Sequence, residues 1–315
     1  MTTKPLAHPW TKWRPARRDG GGARALPAPG ALLELLKPIT WFAPMWAFAC
    51  GVVSSGVAPA GRWPVVVAGL LLAGPLVCAT SQAVNDWFDR HVDAINEPQR
   101  PIPSGRIPGR WGLAVALAWT LLSLAVAGAL GPWILGAGLF GLALAWLYSA
   151  PPVRLKRNGW WGNAACGLCY EGLPWFTGAA AMTGSLPDGR VILLALLYSL
   201  GAHGIMTLND FKSVEGDRRT GLRSLPVQLG TARAARLACA VMALPQAAVV
   251  ALLLAWDRPF HAGLVALLLA GQGALMPRLL ADPRGRAAWY NGTGTLLSVL
   301  GMLVAAFALR AGGAA

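Results

Sequence analysis

Long stretches without a charged residue are the feature of this sequence that most restricts how it can fold. Six of them run over residues 38–61, 63–85, 191–209, 237–256, 259–277 and 287–309. Each is close to the roughly 20 residues that a helix needs to cross the hydrocarbon core of a bilayer. A further stretch, 111–153, is about twice as long, and Gly131-Pro132 in its middle predicts a reversal between two spans. The stretch 160–182 is interrupted only by Glu171, so the sequence predicts nine spans.

The composition fits a membrane bundle and argues against an ordinary soluble enzyme. Hydrophobic residues make up 55% of the 315 residues and charged residues only 13%, whereas about a quarter of the residues in soluble domains are charged. We therefore expect an all-α, polytopic membrane bundle of nine transmembrane helices. The predicted centres of the spans lie near residues 49, 75, 121, 141, 171, 200, 245, 270 and 299.

The positions of Lys and Arg predict the orientation of this bundle. All 27 of these residues fall in the N-terminal segment or in loops after even-numbered spans, except Arg62, Arg190, Arg258 and Arg310. Because basic loops stay on the cytoplasmic side, the N-terminus is predicted to be cytoplasmic. The same asymmetry accounts for the net charge of +14, so no nucleic-acid partner is expected.

The N-terminal segment differs from the rest of the chain. Residues 1–35 are rich in Pro, Gly and Arg and lack the apolar core of a cleavable signal peptide. We expect them to form a flexible basic cytoplasmic tail, either lying on anionic lipid headgroups or simply solvated. Residues 36–315 are expected to form one membrane domain.

The second predicted span ends in a cluster of oxygen-bearing side chains. Asn85, Asp86, Asp89 and Asp93 fall within about 100° of one another around a helix, and so project from one face. Repulsion among three carboxylates is costly unless a cation lies between them. Oxygen ligands suit Mg²⁺, which commonly shares its coordination sphere with substrate phosphates. The alternative is a solvated loop with scattered acidic residues.

The sixth predicted span ends in a matching cluster. Asn209, Asp210, Ser213 and Asp217 repeat the same offsets, with Ser213 at the position of Asp89. The chain therefore resembles a diverged duplication of four spans plus four, with a ninth added. The two clusters would face each other across one central cavity open to the cytoplasmic side. Such a cavity can hold two Mg²⁺ ions and a diphosphate between them.

Basic residues in the adjacent loops supply candidate ligands for diphosphate oxygens. The candidates are Arg100, Arg154, Lys156 and Arg223. Arg is suited to bidentate contacts with phosphate oxygens. For each of these residues alone, a role in membrane topology remains an equal alternative.

Several sequence strings resemble those of a known family. N-D-W-F-D-R-H-V-D followed by R-P-I-P-S-G resembles the first signature of the UbiA superfamily of intramembrane prenyltransferases. The strings Y-S-A-P-P-V-R-L-K-R-N-G-W-W-G-N, C-Y-E-G-L-P-W-F-T-G-A-A and N-D-F-K-S-V-E-G-D-R resemble its chlorophyll and bacteriochlorophyll synthase branch.

The resemblance implies a fold and a metal site. It implies nine helices around a central cavity and Mg²⁺ bound through two Asp-rich motifs. Asn85, Asp89 and Asp93 match the first motif, and Asp210 and Asp217 match the second, so Asp89 and Asp210 are the expected catalytic residues. Ser213 departs from the pattern of many relatives that prenylate aromatic rings, and this leaves the number of direct metal ligands open.

The resemblance also implies substrates and a location. The donor would be geranylgeranyl or phytyl diphosphate, and the acceptor the propionate carboxylate of bacteriochlorophyllide or chlorophyllide, giving an ester. The expected place is a bacterial inner, intracytoplasmic photosynthetic membrane, with other pigment-biosynthesis or photosystem-assembly proteins as possible partners. A quinone or haem prenyltransferase is the alternative within the superfamily. An ion-coupled transporter is the alternative outside it, although carriers bind at the midplane and these acidic residues lie at helix ends.

Three residues within the predicted spans are candidates for contact with a large planar acceptor. Glu171 is costly in lipid and marks either a functional group or a structural bond between helices. His203 lies two turns deeper than Asp210 on nearly the same helical face, and a core hydrogen bond is its alternative role. Trp175 could stack on the macrocycle, although most membrane-protein tryptophans anchor at the interface.

Overall fold

The computed structural model describes residues 26–310 of the chain, so most of the predicted N-terminal tail lies outside the described residues. Within that range the regular elements are helical, as expected, and the one isolated β-bridge joins Asn158 to Arg223. The helices are α1 (Pro29–Leu36), α2 (Phe42–Ser54), α3 (Trp63–Leu71), α4 (Ala79–Asn96), α5 (Trp111–Leu130), α6 (Pro132–Ser149), α7 (Gly159–Gly167), α8 (Leu173–Thr183), α9 (Gly189–Asp210), α10 (Val214–Thr220), α11 (Leu225–Leu229), α12 (Thr231–Ala255), α13 (Pro259–Ala281) and α14 (Pro283–Arg310).

Two π-helical segments join helices into longer rods. Leu72–Cys78 connects α3 to α4, and Leu168–Gly172 connects α7 to α8. The first contains Pro75, which cannot donate a backbone hydrogen bond and so disturbs the regular α-helical ladder. The indole Nε1–H of Trp119 donates to the Pro75 carbonyl oxygen at 3.0 Å and thereby ties α5 to this segment.

Seven helical segments in the described range are long and apolar enough to cross a membrane. They are Trp63–Asn96, Trp111–Leu130, Pro132–Ser149, Gly189–Asp210, Thr231–Ala255, Pro259–Ala281 and Pro283–Arg310. A helix pair bent by 54°, Pro29–Thr40 and Phe42–Ser54, makes an eighth if it forms one broken span. The segment 159–183, predicted as the fifth span, is helical but is not among them. Its polar and aromatic residues lower its hydropathy, and it lies buried among other helices.

Helices α2 and α8 are in close backbone contact. A Cβ atom at Gly51 would lie 2.0 Å from the Trp175 carbonyl oxygen, and one at Gly178 would lie 2.1 Å from the Phe48 carbonyl oxygen. Only glycine permits this approach. Small residues are the usual means by which membrane helices come into van der Waals contact.

The second half of the bundle contains a buried polar link. Gln246 in α12 donates to the side-chain oxygen of Gln272 in α13 at 2.6 Å, and Gln272 donates to the Gly294 carbonyl oxygen in α14 at 3.3 Å. In a chain otherwise packed through apolar contacts, these bonds fix three consecutive helices relative to one another.

The predicted cytoplasmic end carries the short helices and the ion pairs. Arg106 makes a bidentate pair with Glu34 of α1 at 2.5 and 2.9 Å, which holds α1 against the loop after α4.

The second acidic motif is not one continuous helix, because α9 ends at Asp210 and α10 begins only at Val214. The turn between them places Ser213 and Asp217 differently from an extension of α9.

Candidate active site

The ends of α4 and α9 enclose a cavity of about 220 Å³, which we call the donor cavity. It brings together five of the predicted residues from the two acidic motifs. Its lining comprises Asn85, Asp89, Tyr148, Lys156, Gly159, Gly162, Asn163, Asp210, Ser213, Asp217, Leu222 and Ser224. The two helix ends therefore do face one space, as their matching patterns predict.

The first motif divides into two groups that point in different directions. Asn85 and Asp89, one helical turn apart, line the donor cavity. Asp86 instead accepts a hydrogen bond from Lys37 at 2.6 Å and lies 3.4 Å from Arg100. Asp86, about 100° around the helix from Asn85, thus pairs with these two cations and does not line the donor cavity.

Arg100 belongs to the group that points away from the donor cavity. Its guanidinium lies 3.0 Å from Asp93 and also contacts Asp86 and Glu97. Burial alone would lower the pKa of Arg100, but these three carboxylates outweigh it and raise the pKa. Arg100 thus neutralises Asp86, Asp93 and Glu97. The sequence had predicted that Arg100 contacts diphosphate.

Two cations meet the carboxylate of Asp89. Arg154 donates to its Oδ1 at 2.8 Å, and Lys156 pairs with its Oδ2. The side chain of Lys156 is only 8% exposed, and this burial lowers the pKa of its ammonium group, while the Asp89 carboxylate opposes the shift. Arg154 has a left-handed backbone with φ of 42°, a conformation that costs energy in a non-glycine residue and is concentrated at functional sites.

The second motif is held by a residue that sequence reasoning did not single out. The side-chain amide of Asn163 in α7 donates to Oδ2 of Asp210 and to Oγ1 of Thr207, each at 3.2 Å. Ser213 donates to Oδ2 of Asp217 at 2.9 Å. The one available signal for Asn163 was an amide in an otherwise apolar, glycine- and alanine-rich helix.

Two loops close the donor cavity from the side. The Gly159 N–H donates to the Arg223 carbonyl oxygen at 2.8 Å, and the Arg223 N–H donates to the Arg157 carbonyl oxygen at 2.9 Å. A Cβ atom at Gly159 would lie 2.6 Å from the Leu225 nitrogen. The backbone of Arg223 therefore joins the two loops. The side chain of Arg223 is exposed.

The oxygen atoms facing the donor cavity fit a magnesium ion that is shared with a phosphate ligand. Asn85, Asp89, Asp210 and Asp217 offer amide and carboxylate oxygens. Across residues 26–310, no group of three or more His, Cys, Asp or Glu side chains is placed to hold a metal ion alone. Mg²⁺ usually keeps several waters and binds through one or two carboxylates plus substrate phosphates. The sparse donor set suits an ion completed by diphosphate.

A second space continues from the donor cavity toward the middle of the bundle. This tail cavity, of about 230 Å³, shares Asn85 and Tyr148 with the donor cavity. Most of its surface is apolar, and a smaller cavity of about 40 Å³ follows, sharing Val77, Gly141 and Cys169 with it. A polar cavity that continues into an apolar one matches a ligand with a charged head and a hydrocarbon tail.

The three residues predicted to contact a macrocycle lie in different surroundings. Glu171 lines a separate cavity of about 420 Å³. Trp175 is fully buried, stacks on Tyr198 at 5.7 Å and donates to Ser54 at 2.9 Å, which favours a packing role. His203 is buried beside Trp160, with ring centroids 5.9 Å apart.

Comparison with known proteins supplies the family. The model of the UbiA prenyltransferase family matches residues 39–291. The bacteriochlorophyll synthase 33 kDa chain of Cereibacter sphaeroides is 61% identical over 287 residues, covering 91% of this chain and 95% of that relative. The chloroplastic chlorophyll synthase of Arabidopsis thaliana is 40% identical over 291 residues, covering 88% of this chain and 73% of that relative.

A solved structure has the same fold. It is a UbiA homolog from Archaeoglobus fulgidus bound to GPP and Mg²⁺, with a TM-score of 0.67 and 22% identity. The match covers 85% of this chain and 99% of that one.

Proposed function

The chain belongs to the UbiA prenyltransferase family, and from this membership we propose that it is a bacteriochlorophyll synthase. It transfers a geranylgeranyl or phytyl group from its diphosphate to the propionate carboxylate of bacteriochlorophyllide a. The observation that carries the proposal is the 61% identity to the bacterial synthase chain. Chlorophyllide a is the second candidate acceptor, favoured by the 40% identity to the plant enzyme.

The donor cavity would hold the diphosphate. Lys156 and Arg154 are positioned to contact phosphate oxygens, because both already lie on the Asp89 carboxylate at the cavity wall. Asn85, Asp89, Asp210 and Asp217 are the residues that would hold Mg²⁺, and we propose two ions. When bound, Mg²⁺ supplies positive charge that stabilises the leaving diphosphate.

The tail cavity would hold the first part of the prenyl chain. Its apolar wall excludes water, so an allylic cation formed as the diphosphate leaves meets the acceptor instead of being hydrolysed. Tyr148 and Asn85 line both cavities and therefore lie beside the reacting carbon in this arrangement.

The acceptor needs little activation in this reaction. A propionate carboxylate is already ionised at neutral pH, so no strong base is required. One carboxylate oxygen forms a bond to C1 of the prenyl group, and the bond from C1 to the diphosphate oxygen breaks with its electron pair. The products are the ester and diphosphate.

The proposed function also has consequences for the membrane topology and location of the protein. The chain is an integral membrane prenyltransferase. We propose nine spans, with the bent pair α1–α2 as the first and 159–183 as the fifth, related by a four-plus-four duplication and one added span. The N-terminus is cytoplasmic, and the membrane is the photosynthetic membrane of a bacterium, where other pigment-biosynthesis proteins are the expected neighbours.

An acceptor panel tests the proposed function. Purified protein in detergent receives geranylgeranyl diphosphate, Mg²⁺ and, in separate reactions, bacteriochlorophyllide a, chlorophyllide a, 4-hydroxybenzoate or haem. Chromatography of the products is expected to show the fastest ester formation with bacteriochlorophyllide a. Faster reaction with chlorophyllide a would change the acceptor, and reaction only with 4-hydroxybenzoate or haem would overturn the proposal.

A further inference from the structure

A cavity separate from the donor and tail cavities opens on the outer side of the bundle. This lateral cavity, of about 420 Å³, lies between the α1–α2 segment, α9 and α14. Ile39, Phe42 and Leu296 line it and are 90%, 63% and 54% exposed. Exposed apolar residues in a membrane helix bundle face lipid, so a lipid-dissolved molecule can enter from the bilayer.

The wall of the lateral cavity contains a buried carboxyl group with an unused oxygen. Glu171 is 5% exposed and belongs to the π-helical segment Leu168–Gly172. Its Oε2 is buried and has no hydrogen-bond partner among the described residues. None of the ion pairs within residues 26–310 includes Glu171. Such a group is costly in a membrane interior, which indicates a ligand that binds it.

The end of the lateral cavity nearest the donor cavity is polar. Asn291 donates to the side-chain oxygen of Asn209 at 2.7 Å, and Thr295 donates to the side-chain oxygen of Asn291 at 2.9 Å. The amide nitrogen of Asn209 donates to the Met206 sulfur at 3.7 Å, and sulfur is a weak acceptor. This nitrogen is therefore available to donate to a carboxylate.

The lateral cavity and the tail cavity share one wall. Cys166, Tyr170 and Met206 line both of them. Along α9, Ala202 and Asn209 mark the extent of the lateral cavity, about 10 Å along the helix axis. A flat acceptor seated there would have its polar end beside the site where the prenyl carbon is released.

We propose that the lateral cavity binds the tetrapyrrole acceptor, with Glu171 Oε2 as an axial ligand of its central magnesium and the Asn209 amide as a donor to its propionate. Four ring nitrogens leave an axial position open on that magnesium, and magnesium prefers oxygen ligands. The inference rests on the proposed function, because it assumes a magnesium-containing pigment as acceptor.

Pigment binding in the absence of donor tests the Glu171 assignment. Bacteriochlorophyllide a and its metal-free form are titrated into wild-type protein, Glu171→Leu and Glu171→Gln, and the absorption band sensitive to axial ligation of magnesium is followed. Ser123→Ala, at a buried polar residue of α5 outside the lateral cavity, is the control. We expect Glu171→Leu to weaken binding of the magnesium pigment at least roughly tenfold and to remove the ligation signature, with Glu171→Gln intermediate.

The metal-free pigment distinguishes ligation from packing. Its affinity is expected to be equal for wild type and Glu171→Leu, because it has no metal to ligate. An equal loss of affinity for both pigments, or an unchanged absorption band with the magnesium pigment, would overturn the assignment. Ser123→Ala is expected to bind both pigments as the wild type does.

Steady-state kinetics test the other end of the cavity. Asn209→Ala is expected to raise KM for the pigment several-fold and to leave KM for the prenyl diphosphate unchanged. An increase in the donor KM alone would contradict this placement. A failure of the proposed function gives a different result, namely no ester formation by the wild-type protein. The binding titration needs no turnover, so it still reports whether Glu171 ligates the pigment.

Discussion

At the scale of single residues, the carboxylates of the first motif have two different roles. Asp89 faces the donor cavity and carries two cations, Arg154 and Lys156, so this cluster has a net positive charge that favours an anionic ligand. Asp86 is 2% exposed and is paired with Lys37 and Arg100. Neighbours from distant parts of the chain, not position in the motif, separate the two roles.

The role of Asp86 can be tested with an isosteric variant. Asp86→Asn is expected to lower the thermal stability of the protein, because it leaves Lys37 and Arg100 without a carboxylate between them. The Mg²⁺ concentration needed for half-maximal activity should stay within about twofold of the wild-type value, since Asp86 does not line the donor cavity. An increase in this concentration as large as that in Asp89→Asn would show that Asp86 is a direct metal ligand.

Lys156 is expected to bind the diphosphate. Lys156→Gln should lower kcat/KM for the prenyl diphosphate by at least about tenfold, because a hydrogen bond to a charged group is worth about 1.5–3 kcal/mol. Arg157→Gln is a matched control, since this neighbouring basic residue is exposed. Equal effects of the two substitutions would indicate that the loop acts only through its overall charge.

At the scale of elements, the site depends on two loops that approach each other closely. The loop between α6 and α7 supplies Arg154 and Lys156, and the segment between α10 and α11 supplies Arg223. Their backbone bonds, at 2.8 and 2.9 Å, hold the basic residues against the end of α4. The donor cavity is thus assembled from the ends of helices far apart in sequence.

Gly159 tests this arrangement of the loops. Gly159→Ala would place a Cβ atom 2.6 Å from the Leu225 nitrogen, and such overpacking costs about 1–3 kcal/mol. We expect a lower midpoint of thermal unfolding and weaker binding of the prenyl diphosphate. Gly189→Ala is the control, because a Cβ atom there meets nothing within 4 Å. Equal midpoints for wild type and Gly159→Ala would contradict the close approach.

At the scale of the whole molecule, uncharged stretches and helical spacing predicted most of the architecture. The all-helical fold is confirmed for the described residues, and the Asn85–Asp89 pair shares a cavity with Asp210. Periodicity gives an angle around one helix but not the neighbours that meet it. The pairing of Asp86 with Lys37, 49 residues away, therefore could not be predicted.

Two other features of the site could not be predicted, because they also depend on contacts between segments far apart in the sequence. Periodicity along α9 does not reveal the break after Asp210, and the role of Asn163 depends on the position of α7 beside α9. The segment 159–183, which the sequence predicts as the fifth span, is a further case. Its low hydropathy would exclude it as an isolated membrane helix, but burial among other helices allows a polar residue such as Glu171.

The most direct test of the account is the rate of ester formation from bacteriochlorophyllide a and geranylgeranyl diphosphate by purified wild-type protein, Asp89→Ala and Asp210→Ala, each with Mg²⁺ and with EDTA. Expression and thermal unfolding of the three proteins serve as controls. We expect ester only from the wild-type protein and only with Mg²⁺, because both acidic motifs face one donor cavity. Turnover undiminished by EDTA, or retained in either folded variant, would contradict it.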